Sequence, residues 1–154
     1  MRVSVIGGGR IDDQDRERAE AVGRELAERG HEIVCGGLGG VMEAACRGAK
    51  EAEQSPADGG RTIGILPTDD PADANQFVDV PIATGMGNAR NALVVGNGDA
   101  AIAIDGKYGT LSEIALALDR GIPVAGIGTH DVEGVNVVES AEEAVAFVED
   151  AAGQ

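Results

Sequence analysis

Aromatic side chains are scarce in this sequence, and their scarcity limits how an interior can be filled. Tryptophan is absent and aromatic residues make up 2% of the 154 residues, whereas 43% of the residues are hydrophobic. A core must therefore be packed from Val, Ile, Leu and Ala, which is the usual filling of a parallel β-sheet. The length is sufficient to bury such a sheet between two helical layers, so we expect residues 1–154 to form a single domain.

Positive charge is also scarce. The chain has 27 Asp and Glu against 12 Lys and Arg, a formal net charge of −15, and lysine occurs only at positions 50 and 107. Such an anionic surface repels the phosphate backbone of DNA and RNA, so the composition argues against nucleic acid as a partner. The acidic excess is typical of halophilic adaptation, because a high-salt cytoplasm screens the self-repulsion. The alternative is an ordinary acidic protein.

Long apolar runs and clusters of metal ligands are absent as well. No segment approaches the length of a membrane span, and Gly7 interrupts the first apolar run, so we expect a cytoplasmic protein without membrane contact. The two cysteines, Cys35 and Cys46, lack the second pair that a zinc site requires. Neither His31 nor His130 has a partner at metal-binding spacing. We therefore predict buried free thiols, no metal site and no cofactor of the redox kind.

Apolar segments alternate with amphipathic segments along the whole chain. This pattern predicts repeated βα units, and hence an α/β fold with a doubly wound, Rossmann-like, mainly parallel sheet and helices on both faces. The predicted strands are 2–6, 31–35, 62–66, 77–83, 100–104 and 123–127, with a short extended piece at 135–138. The predicted helices are 15–29, 41–52, 88–95, 110–120 and 141–151. Segments 54–60 and 68–74 are predicted to be surface loops.

Glycine-rich loops follow the first, second, fourth and fifth predicted strands. Parallel strands bring their carboxyl ends to one edge of the sheet, so these loops converge on one crevice. Glycine lets backbone N–H groups approach an anion, and the N-terminus of the next helix adds partial positive charge. We therefore predict a phosphate site there, with tight βα turns as the alternative explanation. Its predicted binding residues are Gly8, Gly9, Arg10, Gly37, Gly39, Gly40, Met86, Gly106, Lys107, Tyr108, Gly109 and Thr110.

Two common nucleotide-binding motifs do not fit these loops. In the dinucleotide motif Gly-x-Gly-x-x-Gly, the third glycine would fall at Asp12. The second strand ends in Gly36-Gly37 instead of the carboxylate that binds a ribose hydroxyl. The P-loop is missing too, because neither lysine lies in a Gly-Lys-Ser/Thr sequence. The motifs thus favour a mononucleotide or ribose phosphate over a dinucleotide or ATP hydrolysis.

The most specific stretch of the chain runs from residue 85 to residue 118. It contains GMGNARN at 85–91 and GKYGTLSEI at 106–114, on either side of a predicted strand. This pattern resembles the LONELY GUY family and its wider SLOG superfamily, whose hallmark is Pro-Gly-Gly-x-Gly-Thr-x-x-Glu with an upstream arginine. The run GGLGGVM at 36–42 is similar to the other glycine loop of the family, so the resemblance covers nearly the whole chain. Its members were long labelled possible lysine decarboxylases.

The resemblance implies hydrolysis of the N-glycosidic bond of a nucleoside 5′-monophosphate, which releases free base and ribose 5-phosphate. Arg90 and Glu113 match the catalytic pair. The Glu113 carboxylate would stabilise the oxocarbenium character of the ribose and activate water. Arg90 would bind phosphate or a ribose hydroxyl, and Thr110 with the glycine loop would hold the phosphate. The resemblance also implies a homodimer or higher homo-oligomer formed through the helices around the site.

The sequence departs from the hallmark at two places. Asp105-Gly106-Lys107 stands where the family has Pro-Gly-Gly, and Ser112 stands where many active members carry a second glutamate. The sequences Ala-Arg-Asn at 89–91, before the loop, and Gly-Thr-Leu-Ser-Glu-Ile at 109–114, after it, are similar to a SLOG branch that includes proteins resembling molybdenum-cofactor carriers. The alternative function is therefore a non-catalytic carrier or sensor that binds a nucleotide or a pterin-type phosphate in the same crevice.

Four of the predicted site residues also have purely structural interpretations. Thr110 and Glu113 form a Thr-x-x-Glu capping box, in which the glutamate only satisfies backbone donors at a helix start. Arg90 can be an ordinary solvated arginine. For Tyr108, stacking on a base and covering the edge of the sheet both stay open.

Overall fold

A computed structural model describes residues 1–52 and 60–153 of the chain. The strands, numbered in chain order, are β1 (Arg2–Gly7), β2 (Glu32–Cys35), β3 (Thr62–Leu66), β4 (Val80–Ala83), β5 (Ala100–Ile104), β6 (Val124–Ile127) and β7 (Val135–Val137). The helices are α1 (Asp13–Glu28), α2 (Val41–Glu51), α3 (Asn91–Gly96), α4 (Tyr108–Asp119) and α5 (Ala141–Ala152). Two 3₁₀ turns lie at Pro71–Asp73 and Gly87–Arg90.

The seven strands form one parallel sheet in the order β4-β3-β2-β1-β5-β6-β7. From β1 the chain winds outward through β2, β3 and β4, and then returns to the other side of β1 to place β5, β6 and β7. The sheet is therefore doubly wound, with its topological switch point between β1 and β5. The predicted Rossmann-like α/β fold is confirmed, and the described sheet is parallel throughout.

The alternation of side chains along β1 shows how the two faces of the sheet are buried. Val3 and Val5 pack against α1, α2 and α5, whereas Ile6 packs against α3 and α4. Ser4 also lies on the second face, where its hydroxyl donates to the Val94 carbonyl at 2.8 Å and so satisfies a buried polar group. Aliphatic side chains and alanines make up both clusters, as the lack of aromatic residues predicted.

Helices α1 and α2 pack in direct backbone contact. A Cβ on Gly23 would lie 1.9 Å from the Ala45 carbonyl oxygen, and one on Gly48 would lie 2.0 Å from the Glu20 carbonyl oxygen. Neither position can accept a side chain without moving a helix, so the two glycines fix the spacing of this pair.

Several predicted boundaries differ from the structure. Helix α1 begins earlier than predicted, since the Asp12 side chain accepts from the Asp15 backbone N–H at 2.9 Å and caps it. The predicted strand 77–83 is shortened, because the Val78 N–H donates to the Asn75 carbonyl in a turn before β4 begins. The predicted loop 68–74 contains a 3₁₀ turn. Most of the predicted loop 54–60 lies outside the described residues.

The two cysteines are buried and unbridged, with their Sγ atoms 3.7 Å apart, which confirms the predicted free thiols. Within residues 1–52 and 60–153, no helix is long and apolar enough to cross a membrane. The same residues contain no group of three or more His, Cys, Asp or Glu placed to hold a metal ion.

Candidate binding crevice at the switch point

The glycine loops meet in a crevice of about 560 Å³ at the carboxyl edge of the sheet. Its walls come from the loops after β1, β2 and β5 and from the 3₁₀ turn before α3, as the convergence argument predicted. The predicted site residues that line it are Gly8, Gly9, Arg10, Arg90, Lys107, Gly109, Thr110 and Glu113. Residues that line it without having been predicted are Gly7, Leu38, Met42, Asn88, Asn91 and Asp105.

Six predicted binding residues do not line the crevice, and three of them have a conformational role instead. Gly37, Gly40 and Gly106 have φ of 79°, 67° and 107°, in the left-handed region that favours glycine. A Cβ on Gly40 would also lie 2.1 Å from the Gly8 carbonyl oxygen, and that oxygen accepts from the Val41 N–H at 2.9 Å. These glycines therefore hold the loops in shape.

The other three lie within two residues, along the chain, of residues that line the crevice. Gly39 is on the ridge between the crevice and a second groove. Gly40 borders that second groove. Met86 is exposed, and Tyr108 is 89% exposed at the first residue of α4. Tyr108 therefore contributes to the outer surface beside the crevice, and the described conformation does not place it in the lining.

Arg90 is buried and connects strand β3, the loop after β2 and the start of helix α3. Its side chain is 6% exposed, so the interpretation as a solvated arginine is wrong. Nε donates to the Ile65 carbonyl at 2.8 Å, Nη2 donates to the Gly36 carbonyl at 3.3 Å, and Nη1 donates to the Asn91 side-chain oxygen. Three of the five guanidinium N–H groups are thus used within the protein, and two remain for a ligand. Burial lowers the pKa of Arg90, while the nearby Glu113 carboxylate raises it.

Glu113 lines the crevice from the second turn of α4 and is 7% exposed. Burial raises its pKa to about 7, and the positive charge of Arg90 opposes this shift. No hydrogen bond to its carboxylate comes from the described residues. Near neutral pH the group is therefore present in both protonation states, as an acceptor and as a donor toward whatever occupies the crevice.

The capping-box interpretation of Thr110 and Glu113 is wrong. Helix α4 begins at Tyr108, its N-cap position is Lys107, and no side-chain hydrogen bond caps it. Thr110 is consequently the third residue of the helix, and its buried side chain packs against Gly106. Glu113 is thus not engaged in satisfying the helix start.

A hydrogen-bond chain that the sequence did not reveal connects Arg90 to α4. The Asn91 side-chain amide donates to Ser112 Oγ at 3.1 Å, and Ser112 donates to the Gly109 carbonyl at 2.6 Å. Asn91 accepts from Arg90 at its other end. Ser112, which departs from the hallmark, is therefore hydrogen-bonded within the protein. The signal for this in the sequence was the occurrence of Arg90-Asn91 together with a serine three residues after Gly109.

The altered turn after β5 brings a carboxylate into the crevice. Asp105 has φ of 51°, and its carbonyl accepts from the Thr129 hydroxyl at 2.6 Å. Its Oδ2 atom lies 2.5 Å from the position of a Cβ on Gly8, so the carboxylate covers that glycine. The lining thus has three cationic side chains, Arg10, Arg90 and Lys107, against the two acids Asp105 and Glu113.

A parallel doubly wound sheet with a glycine-lined, locally basic crevice at its switch point defines a Rossmann-like ligand-binding domain. Within that class, the chain belongs to the SLOG cluster4 family, whose sequence profile matches residues 1–153. The predicted SLOG membership is confirmed.

Three relatives show what this chain is similar to. An uncharacterized protein of Archaeoglobus fulgidus is 45% identical over 148 residues, which cover 96% of this chain and 93% of that protein. The molybdenum cofactor binding protein of the phototrophic bacterium Rippkaea orientalis is 34% identical, with a TM-score of 0.87 over 97% of this chain and 95% of that one. The molybdenum cofactor carrier protein of Chlamydomonas reinhardtii is 31% identical, with a TM-score of 0.85 over 99% and 98% of the two chains.

Proposed function

We propose that this protein is a carrier that binds a phosphate-bearing pterin, the molybdenum cofactor, without cleaving it. Two similar solved structures, matched over nearly their whole length, are a binding protein and a carrier protein for that cofactor. The observation on this chain that carries the proposal is the charge of its crevice. Three cations face two acids there, on a chain whose net charge is −15. A local excess of positive charge on such a chain favours an anionic ligand.

The acids of the crevice suit the other end of a pterin. An aminopyrimidinone ring presents two adjacent N–H donors, and a carboxylate can accept both of them. Glu113 offers a desolvated carboxyl group whose pKa of about 7 lets it change between acceptor and donor. The molybdenum would be cargo held by the pterin itself.

Equilibrium binding of the molybdenum cofactor under anaerobic conditions tests the proposal. Lys107→Gln removes a cation that lines the crevice, and Arg61→Gln removes a cation from the surface pair with Glu32, so both change the net charge equally. We expect Lys107→Gln to weaken binding by about tenfold, as for one charge-assisted phosphate contact, and Arg61→Gln to leave it unchanged. Equal effects of both variants would mean that the crevice does not hold the phosphate.

A phosphoribohydrolase is the second candidate. It is favoured by the presence of Glu113 and Arg90 in one crevice, because a carboxyl group with a pKa near 7 is suited to acid–base catalysis at neutral pH. Incubation with nucleoside monophosphates, followed by chromatography of the free base, tests it. Base release by the wild type that Glu113→Gln abolishes would establish the hydrolase and overturn the carrier.

We also propose that the protein is a homodimer or higher homo-oligomer and acts in the cytoplasm. Four large side chains are exposed around α3 and α4, namely Met86, Leu93, Tyr108 and Leu111. Burying them against a second copy would remove this apolar surface from water.

Two thiols 3.7 Å apart that stay unbridged suit a reducing compartment such as the cytoplasm. Light scattering after gel filtration measures the mass, and a monomer would contradict the first of these proposals.

A further inference from the structure

A second groove of about 660 Å³ adjoins the crevice on the side of α1 and α2. Gly9 lines both the crevice and the groove, and Gly40 lines the groove. The ridge between the two spaces is therefore made of glycine backbone from the loops after β1 and β2. No side chain of Gly9, Gly39 or Gly40 separates the crevice from the groove.

Nothing in the described part of the chain requires a glycine at two of these ridge positions, Gly9 and Gly39. A Cβ on Gly9 would meet nothing within 4 Å, and one on Gly39 would make only ordinary contacts at 3.7 and 3.9 Å. Both also have φ outside the left-handed region. Gly109, which lines the crevice, is the third glycine of this kind. Every other described glycine has a positive φ or would place a Cβ within 3.0 Å of another atom.

Glycine at such positions is explained by a ligand that approaches the backbone closely. The backbone N–H groups of Gly9 and Gly39 also make no hydrogen bond within the described residues. Unpaired N–H groups on a ridge without side chains form a surface suited to a phosphate. The phosphate of the ligand would then lie on the ridge, with room to continue on both sides.

The groove beyond the ridge is not itself an anion site. Two arginines line it. Arg16 is paired with Asp13 at 2.7 Å. Arg47 is paired with Glu51 at 2.9 Å and approaches Glu20 at 3.8 Å, so both charges are already offset. Glu43 makes no ion pair within the described residues, and Oε2 of this residue lies 3.9 Å from the position of a Cβ on Gly39. Acids that outnumber free cations repel a second phosphate and accept hydrogen bonds from N–H or hydroxyl donors.

The groove also offers an apolar surface. Half-buried Phe77 lines it together with Ala44 of α2 and Ile11 of the loop before α1. An aromatic ring and an acidic acceptor in one groove are suited to a flat heterocycle with exocyclic N–H groups, since the ring can stack while the acid accepts. A nucleoside fits this description.

We propose that the site has two compartments and takes a nucleotide-extended ligand. One aromatic end lies in the crevice, the phosphates lie on the Gly9 and Gly39 ridge, and a nucleoside occupies the groove against Phe77 and Glu43. This inference rests on the proposed function, because it requires the phosphorylated pterin in the crevice. The chain lacks both the third glycine of the dinucleotide motif and its carboxylate after β2, so the acceptor in this site is instead Glu43 of α2.

The test compares two probes, the molybdenum cofactor with its single phosphate and the same cofactor extended by guanosine monophosphate. We expect the extended probe to bind at least about tenfold more tightly, as expected for one stacked base. Phe77→Ala should remove this advantage and leave affinity for the single-phosphate probe within about twofold, and Phe77→Leu should retain part of it because it keeps apolar contact. A thermal melt of each variant verifies that it is folded.

Equal affinities of the wild type for the two probes, or an equal loss of both in Phe77→Ala, would overturn the two-compartment site while leaving the carrier function intact. Binding of neither probe by the wild type would overturn the carrier function and this inference together.

Discussion

Adding one methyl group to Gly9 and one to Gly40 should affect two different properties of the protein. Gly40 has φ of 67°, and its Cβ would lie 2.1 Å from the Gly8 carbonyl oxygen. Left-handed strain and overpacking against backbone each contribute about 1 to 3 kcal/mol, so Gly40→Ala should lower the free energy of unfolding by about 2 to 6 kcal/mol. Gly9 has neither constraint. Gly9→Ala should leave that free energy unchanged or raise it by about 0.4 to 1 kcal/mol.

The same Gly9→Ala substitution should weaken binding of the molybdenum cofactor, because the added methyl group occupies the ridge on which we place the phosphate. We expect a loss of roughly tenfold or more, equivalent to about 1.4 kcal/mol. Urea unfolding measures the first property and anaerobic titration with the cofactor measures the second. A Gly9→Ala variant as destabilised as Gly40→Ala would show that Gly9 has a structural role, and one that binds the cofactor as tightly as the wild type would show that the phosphate does not lie on the ridge.

Three further predictions concern stability. As the pH rises from 4.5 to about 7, the free energy of unfolding of the wild type should fall by roughly 2 to 3 kcal/mol relative to that of Glu113→Gln. Urea unfolding of both proteins at each pH measures this difference. Replacing Asn91 by Ala should lower the free energy of unfolding by about 1 to 3 kcal/mol, because a buried Arg90 N–H loses its acceptor, whereas Ser112→Ala should lower it by about 0.5 to 1.5 kcal/mol. The melting temperature should rise between about 0.1 and about 2 M KCl, because salt screens the self-repulsion of a chain of charge −15.

The direction of the pH effect follows from the raised pKa of Glu113. In the folded protein the carboxyl group keeps its proton up to a pH of about 7, whereas in the unfolded chain it loses it near 4.5. Between these values the folded state binds more protons, so stability is lost as the pH rises. A difference in free energy of unfolding between wild type and Glu113→Gln that does not change with pH would contradict the burial of Glu113.

Equal losses of stability in Asn91→Ala and Ser112→Ala, or a melting temperature that falls with KCl, would contradict the other two predictions.

The sheet and the position of the crevice could be predicted from the sequence because their signals are local. Strands β3 and β5 have the predicted bounds, since each is a short apolar run that a turn-forming residue ends, Pro67 after β3 and Asp105 after β5. Strand β4 was predicted too long, because Phe77 and Val78 look like strand residues although a turn holds them. The start of α4 was misplaced because Thr-x-x-Glu looks like a capping box, while the helix begins at Tyr108 without a side-chain cap.

The candidate site could be predicted only in part, because partners distant in the sequence decide the role of each residue. Arg90 lies after the edge strand, and nothing local shows that it reaches the Gly36 carbonyl, 54 residues away in the chain. The second groove was missed because acidic and basic residues on α1 and α2 resemble solvated helix faces. The sequence also could not separate Gly9, which the fold leaves open, from Gly40, which the fold requires.

Recovery of bound ligand from protein purified anaerobically, out of a host that makes the molybdenum cofactor, would decide between a carrier and a hydrolase. We expect that unfolding the protein releases intact pterin together with molybdenum in stoichiometric amount, and that nucleoside monophosphates incubated with the protein yield no free base. Protein that carries no pterin and instead releases free base, in a reaction abolished by Glu113→Gln, would contradict the carrier function.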